Sequence, residues 1–205
     1  MLTDPTSSPG SSRSAPAADA IVIGASAGAV ESLRELLPAL SLSPRVPVIV
    51  VVHVPADRPS LLPQLFAGMC RVPVREPVDK QPLEGGVIWF APAGYHLLIE
   101  SDRSFALSVD PPVNFSRPSV DVLFESAADT YGAKLAAVVL SGANDDGAQG
   151  AEAVRKAGGF VLVQEPGQAL ARSMPEAAIH RADPQLVGSL AEIATTLSQL
   201  IGALP

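Results

Sequence analysis

Three polar residues in this chain are of the types needed for a nucleophile, a base and a carboxylate that orients the base. Ser26 stands in Ile23-Gly24-Ala25-Ser26-Ala27-Gly28, His53 in Val51-Val52-His53-Val54-Pro55, and Asp146 in Leu140-Ser141-Gly142-Ala143-Asn144-Asp145-Asp146-Gly147. A serine hydroxyl is a weak nucleophile until a neighbouring imidazole takes its proton, and the imidazole works best when a carboxylate fixes its tautomer. The chemistry this set offers is acyl transfer through a serine. Each residue also has a plainer use. Ser26 would cap the helix that follows it, His53 would be a structural histidine at a strand end, and Asn144–Gly147 would be a turn. The joint occurrence of all three just beyond aliphatic runs favours the triad.

Those runs are the elements that must position the three side chains. Ala20–Ile23 reads as a buried strand entering a tight turn at Gly24, and Val30, Leu33, Leu36, Leu37 and Leu40 then fall at helical spacing. After a loop marked by Pro44 and Pro47, Val46–Val54 is a run β-branched except at Pro47 and His53, of the kind found in central parallel strands. Pro59–Met69 predicts a helix with Pro59 in its first turn. Gly85–Ala91 predicts a strand, and Tyr95–Glu100 with Ser104–Val109 a hairpin around Asp102 and Arg103. Ser119–Thr130 predicts a helix begun by a serine cap, with Val120, Leu123, Phe124 and Ala127 on one face. Leu135–Leu140 and Phe160–Gln164 predict strands, Ala148–Ala157 a helix closed by Gly158 and Gly159, and Val187–Ile201 a terminal helix. The alternation implies an α/β fold: a doubly wound, mostly parallel sheet flanked by helices, with a β-hairpin in the middle of the chain. Sites in such sheets form beyond the carboxyl ends of the strands, where Ser26, His53 and Asp146 stand.

Composition narrows the function classes. Hydrophobic residues reach 47% while aromatics are 4%, so the core is built of small aliphatics, which suits α/β layers better than a β-sandwich. Residues 1–18 are rich in Ser, Pro and Ala and are expected to be a disordered tail, leaving 19–205 as one domain. A net charge of −7 without a basic run argues against nucleic acid or an anionic membrane as partner. Cys70 is the only cysteine, and His53, His96 and His180 lack metal-ligand spacing, so neither a metal nor another cofactor is expected. No apolar stretch of about 18 residues is present, and the first residues do not form a secretory signal. The expected location is cytoplasmic.

Two other motifs compete. Gly24–Gly28 fits G-x-S-x-G, the nucleophile elbow of α/β-hydrolases, whose chain order would select His180 as base. That elbow follows several strands, whereas Ser26 follows the first. A dinucleotide site would need G-x-G-x-x-G here and an acidic residue where His53 stands, and both are missing.

Longer segments carry a family resemblance. Gly24-Ala25-Ser26-Ala27-Gly28 resembles the G-A-S-T-G-G of the chemotaxis protein-glutamate methylesterases, His53-Val54-Pro55 their H-M-P, and Ser141–Gly147 their T-G-M-G-x-D-G. Arg117-Pro118-Ser119-Val120-Asp121-Val122-Leu123-Phe124 is similar to R-P-S-V-D-V-L-F, and Met174–Ile179 to M-P-x-x-A-I. The similarity runs from Ile21 to Ile201. It departs at Ala27, Ala29, Val52 and Ala143-Asn144, all around the triad rather than in it. The resemblance implies hydrolysis of glutamate methyl esters on methylated chemoreceptor-type helices, with glutamine deamidation as a related activity. It implies Ser26 as nucleophile, His53 as base and Asp146 as its orienting carboxylate. Backbone amides near Ala27 and in the Ala143–Asn144 turn become candidates for the oxyanion hole, and Arg117 is expected to border the substrate groove. Members usually carry an amino-terminal receiver domain, and residues 1–18 occupy that place here, so a stand-alone catalytic domain is expected. The alternatives are a non-catalytic binding module of the same fold and an esterase for another ester.

Overall fold

A computed structural model of the chain describes residues 18–40 and 45–202. The expected tail, apart from Ala18, lies outside the described residues, as does Pro44. The first strand, β1 (Ala20–Ala25), is buried along its whole length because it lies at the centre of a parallel sheet. Its side chains alternate between two cores, Ile21, Ile23 and Ala25 facing one layer and Ala20 and Val22 the other.

The remaining strands of this sheet are β2 (Val48–Val52), β3 (Val74–Arg75), β4 (Ile88–Phe90), β7 (Leu135–Val139), β8 (Phe160–Gln164) and β9 (Leu186–Gly188). They lie in the order β3-β4-β2-β1-β7-β8-β9, every neighbouring pair parallel. Helices α1 (Ala29–Ala39), α2 (Leu62–Ala67) and α6 (Leu190–Leu200) contribute to one layer. Helices α3 (Val120–Tyr131), α4 (Ala148–Lys156) and α5 (Ser173–Ala182) cover the other. The antiparallel hairpin of β5 (His96–Ile99) and β6 (Phe105–Ser108) packs with the second layer through Leu97, Ile99 and Phe105. The doubly wound sheet and the hairpin are as expected.

Some boundaries differ. The helix expected over Pro59–Met69 begins at Leu62, and Pro63 rather than Pro59 takes the first-turn position that a residue without an amide hydrogen tolerates. The terminal helix does not start at Val187, which pairs with Val163 in β9. It starts after Ser189, whose hydroxyl accepts from the Glu192 amide while Glu192 accepts from the Ser189 amide, a capping box. Strands β3 and β9 are two and three residues long, too short to carry a period.

The chain crosses from one side of β1 to the other between β2 and β7, so the carboxyl ends of these three strands open on the crevice where such folds place their sites. Helix α3 must come close to the sheet there. A Cβ on Gly24 would collide with the γ-methyls of Val120, and one on Gly147, held at φ +94°, would lie 2.8 Å from Val120 Cγ1. Val120 therefore fits only because two glycines flank it. Gly24→Ala is expected to displace α3 and to cost about 2 kcal/mol of stability through overpacking, measurable as a lower urea midpoint. An unchanged midpoint would show that α3 has room to spare.

Candidate active site

Each candidate side chain is set by the backbone just past a strand. Ser26 N–H donates to the Ser141 carbonyl at 2.9 Å, and His53 N–H to the Ala25 carbonyl at 3.2 Å, so the ladders of β1 extend into the turns that bear them. Ser26 does not cap α1. The capping position is Gly28, left-handed at φ 83°, which lets the chain turn away and leaves the hydroxyl free.

The three side chains meet. His53 Nδ1 lies 3.1 Å from Ser26 Oγ, and His53 Nε2 lies 2.7 Å from Asp146 Oδ2. A carboxylate can only accept, so the proton sits on Nε2 and the Nδ1 lone pair faces the serine hydroxyl. The two ring nitrogens have exchanged the roles they hold in the chymotrypsin-type triad. The His53 side chain is 12% exposed and Asp146 is sealed from solvent, so the polar chain runs from the cleft surface into the interior.

Burial would push the Asp146 carboxyl upward, but its partners outweigh that. It accepts from His53, from the amides of Val120 at 2.7 Å and Asp121 at 3.1 Å, from Ser119 Oγ at 2.8 Å and from Asn114 Nδ2 at 3.2 Å. The bonds from His53, the Val120 and Asp121 amides and Ser119 hold its pKa at about 2. The amides belong to the first turn of α3, where unpaired N–H groups and the helix dipole favour an anion. Ser119, expected as an ordinary cap, gives its hydroxyl to Asp146 instead.

A second buried carboxylate, Asp121, accepts at Oδ1 from the amides of Gly147 at 2.9 Å and Gly150 at 2.7 Å, the start of α4. Burial, with the charge of Asp146 adding to it, pushes Asp121 up to about 6. Asn114 Nδ2 donates to Asp121 Oδ2 at 2.8 Å as well as to Asp146. Sequence reasoning missed Asn114 and gave Ser119 and Asp121 no part in the site. The available signal was an Asp and a helix start, Ser119-Val120-Asp121, that could be brought together.

The other candidates fall around this chain. Ala27 is exposed directly after Ser26, and its carbonyl accepts from Ser141 Oγ at 2.6 Å. Ala143 is exposed, and Asn144 Oδ1 accepts from the Asp146 amide at 3.3 Å, steadying the turn that bears the carboxylate. The Gly142 amide is committed to the Ala171 carbonyl. Arg117 lines a cleft of about 390 Å³ with His53, Pro112, Phe115 and Ser116. Its Nη1 donates to the carbonyls of Val109 and Asp110, and its buried Nε has no partner among the described residues. His180, the alternative base, is exposed in the last turn of α5. His96 is buried instead, with Nε2 3.1 Å from the Pro111 carbonyl and Nδ1 accepting from the Ser119 amide at 3.3 Å.

Comparison with known proteins places the chain among relatives. The family model described as CheB methylesterase matches residues 21–197. A protein of Leptospira interrogans is 40% identical over 182 residues, 89% of this chain and 94% of the relative. The protein-glutamate methylesterase/protein-glutamine glutaminase of Trichodesmium erythraeum is 35% identical over 76% of this chain, which spans 45% of that protein's length. The crystal structure of the Thermotoga maritima CheB methylesterase catalytic domain superposes with a TM-score of 0.83 at 28% identity, covering 92% of this chain and 100% of that one.

The buried carboxylate gives a testable pH dependence. An unfolded aspartate titrates near pH 3.9, so a folded value of about 2 contributes stability that is complete above about pH 4 and lost as the pH falls through 2. Asp146→Asn places an amide donor among donors and is expected to be about 2–3 kcal/mol less stable at pH 7. The gap should narrow between about pH 4 and pH 2 in urea titrations. A gap of constant size would show that Asp146 is not held as an anion.

Proposed function

The chain belongs to the CheB methylesterase family, and we propose that it hydrolyses glutamate methyl esters on chemoreceptor-type proteins through Ser26, His53 and Asp146, with glutamine deamidation at the same site. The observation that carries the reading is the continuous bonding from Ser26 Oγ through the imidazole to a carboxylate that stays ionised. A fold kept only as a binding module has no need of a base so aligned.

The proposed reaction runs through these steps. Ser26 Oγ attacks the ester carbonyl as His53 Nδ1 takes its proton, and Asp146 holds the resulting imidazolium by accepting from Nε2–H. Amides in the turns at Ala27 and Ala143–Asn144 would face the oxyanion. Collapse breaks the bond to the methoxy oxygen, His53 returns the proton, and methanol leaves a glutamyl ester on Ser26. Water, deprotonated by His53, then attacks this ester; the bond to Ser26 Oγ breaks as His53 returns the proton to it, and the glutamate is released. With a glutamine side chain the leaving group is ammonia and the later step is the same. Arg117 would border the bound segment. We place the enzyme in the cytoplasm. The charge of −7 suits neither nucleic acid nor an anionic membrane surface, and among the described residues no helix is long and apolar enough to cross a membrane.

Methanol release from a methylated receptor protein tests the assignment. Ser26→Ala and His53→Ala are each expected to lower turnover by orders of magnitude with the fold retained, since a triad acts as a unit. His180→Ala should stay near the native rate. Loss of activity in His180→Ala with retention in His53→Ala would overturn the choice of base, and native turnover in Ser26→Ala would overturn the mechanism.

A further inference from the structure

The loop facing the cleft contains two consecutive residues in the left-handed region, Asn114 at φ 47° and Phe115 at φ 62°. Val113 and Ser116 flank them and exchange both backbone bonds, at 3.1 and 2.9 Å. Positive φ at both central positions of a two-residue loop marks a type I′ turn, whose usual occupants are Asn and Gly. Asn114 suits this position. Phe115 does not, because left-handed backbone is unfavourable for a residue with a Cβ. Nor does packing within the chain compensate, for its relative exposure is 104%. A strained residue held in place beside a site is a pointer to function.

The turn has two working sides. Inward, Asn114 Nδ2 bonds both buried carboxylates, Asp121 and Asp146. Outward, Phe115 lines the same cleft as His53. Past Val54 and Pro55 the cleft continues into an apolar groove walled by Leu61, Leu62 and Leu65, with Leu61 75% exposed.

We propose that the Val113–Ser116 turn is a recognition lip for protein esters. Phe115 is a specificity-determining residue that packs on an apolar side chain of the substrate protein beside the ester. Asn114 is the positioning residue that holds Asp146 for the same turnover. The inference rests on the methylesterase reading above and names what is recognised beyond the ester itself. The ring stands on a turn anchored to the two carboxylates, so little conformational freedom is lost when it is covered. A small ester has nothing to lay on it, whereas a protein segment presents neighbouring side chains beside the reacting glutamate.

Glycine variants test both roles without straining the turn, because glycine accepts positive φ. Phe115→Gly should melt at or above the native temperature. It is expected to raise KM for the methylated receptor about tenfold and to lower the preference for that protein over a small aryl ester by a similar factor. Phe115→Tyr keeps the ring and should restore KM. Asn114→Gly should lower kcat on both substrates and leave KM nearly as it was. A native KM in Phe115→Gly, or an equal loss on both substrates, would overturn the lip. A native kcat in Asn114→Gly would overturn the positioning role. If the native protein cleaves the aryl ester but releases no methanol from the receptor, the methylesterase reading itself fails, and the lip falls with it.

Discussion

A carboxylate with no solvent contact holds the two halves of this site together. Asp146 arrives on the loop after β7, and a lone anion buried there would cost several kcal/mol. It stays ionised because α3 begins against it, offering two backbone amides and the Ser119 hydroxyl, while His53 approaches from the far side. The imidazole is thus oriented by a group that is itself held by a helix end, an element that moves far less than a side chain. The close approach of α3 requires bare backbone at Gly24 and Gly147, both pressed on Val120. The small residues around Ser26 therefore serve the carboxylate as well as the serine.

The same logic is repeated once more around α4. Asp121, on α3, accepts the first amides of α4, while the loop that precedes α4 sends Asp146 to the first amides of α3. The two helices cap each other through carboxylates that are neighbours in space. Two anions so close disfavour joint ionisation, and Asn114 meets this by donating to both. Asp121 carries the upward shift and Asp146 the downward one, so the negative charge concentrates against the His53 imidazole.

Much of this was visible in the sequence. β8 matched residue for residue, and the strands before Ser26, His53 and Asp146 were plain because buried parallel strands read as unbroken aliphatic runs. Asn114, Ser119 and Asp121 were not visible as site residues. Their contacts to Asp146 span 25 to 32 positions and depend on where the start of α3 lands, which no local pattern encodes. Ser119 even carried a misleading signal, since a serine before an apolar helix reads as an ordinary cap. The start of α6 shows the opposite case. Ser189 and Glu192 have capping-box spacing, but the neighbouring Val187 drew the helix boundary into a strand. Phe115 could not be read at all, because its meaning lies in a backbone angle.

The orientation of the His53 ring can be understood as a matter of reach. Nδ1 sits on the atom next to the side-chain stem and extends only a short way from its own backbone, whereas Nε2 lies at the far tip. Adjacent strands are about 4.8 Å apart, and alternate ones about twice that. In the order β2-β1-β7 the serine belongs to the strand next door and the carboxylate to the one beyond it. The near nitrogen therefore meets the near strand, and the far nitrogen meets the far one. Which end of the imidazole faces the serine follows from where the chain crosses the sheet, so a protein that threaded the same three side chains through another strand order would have to turn the ring over.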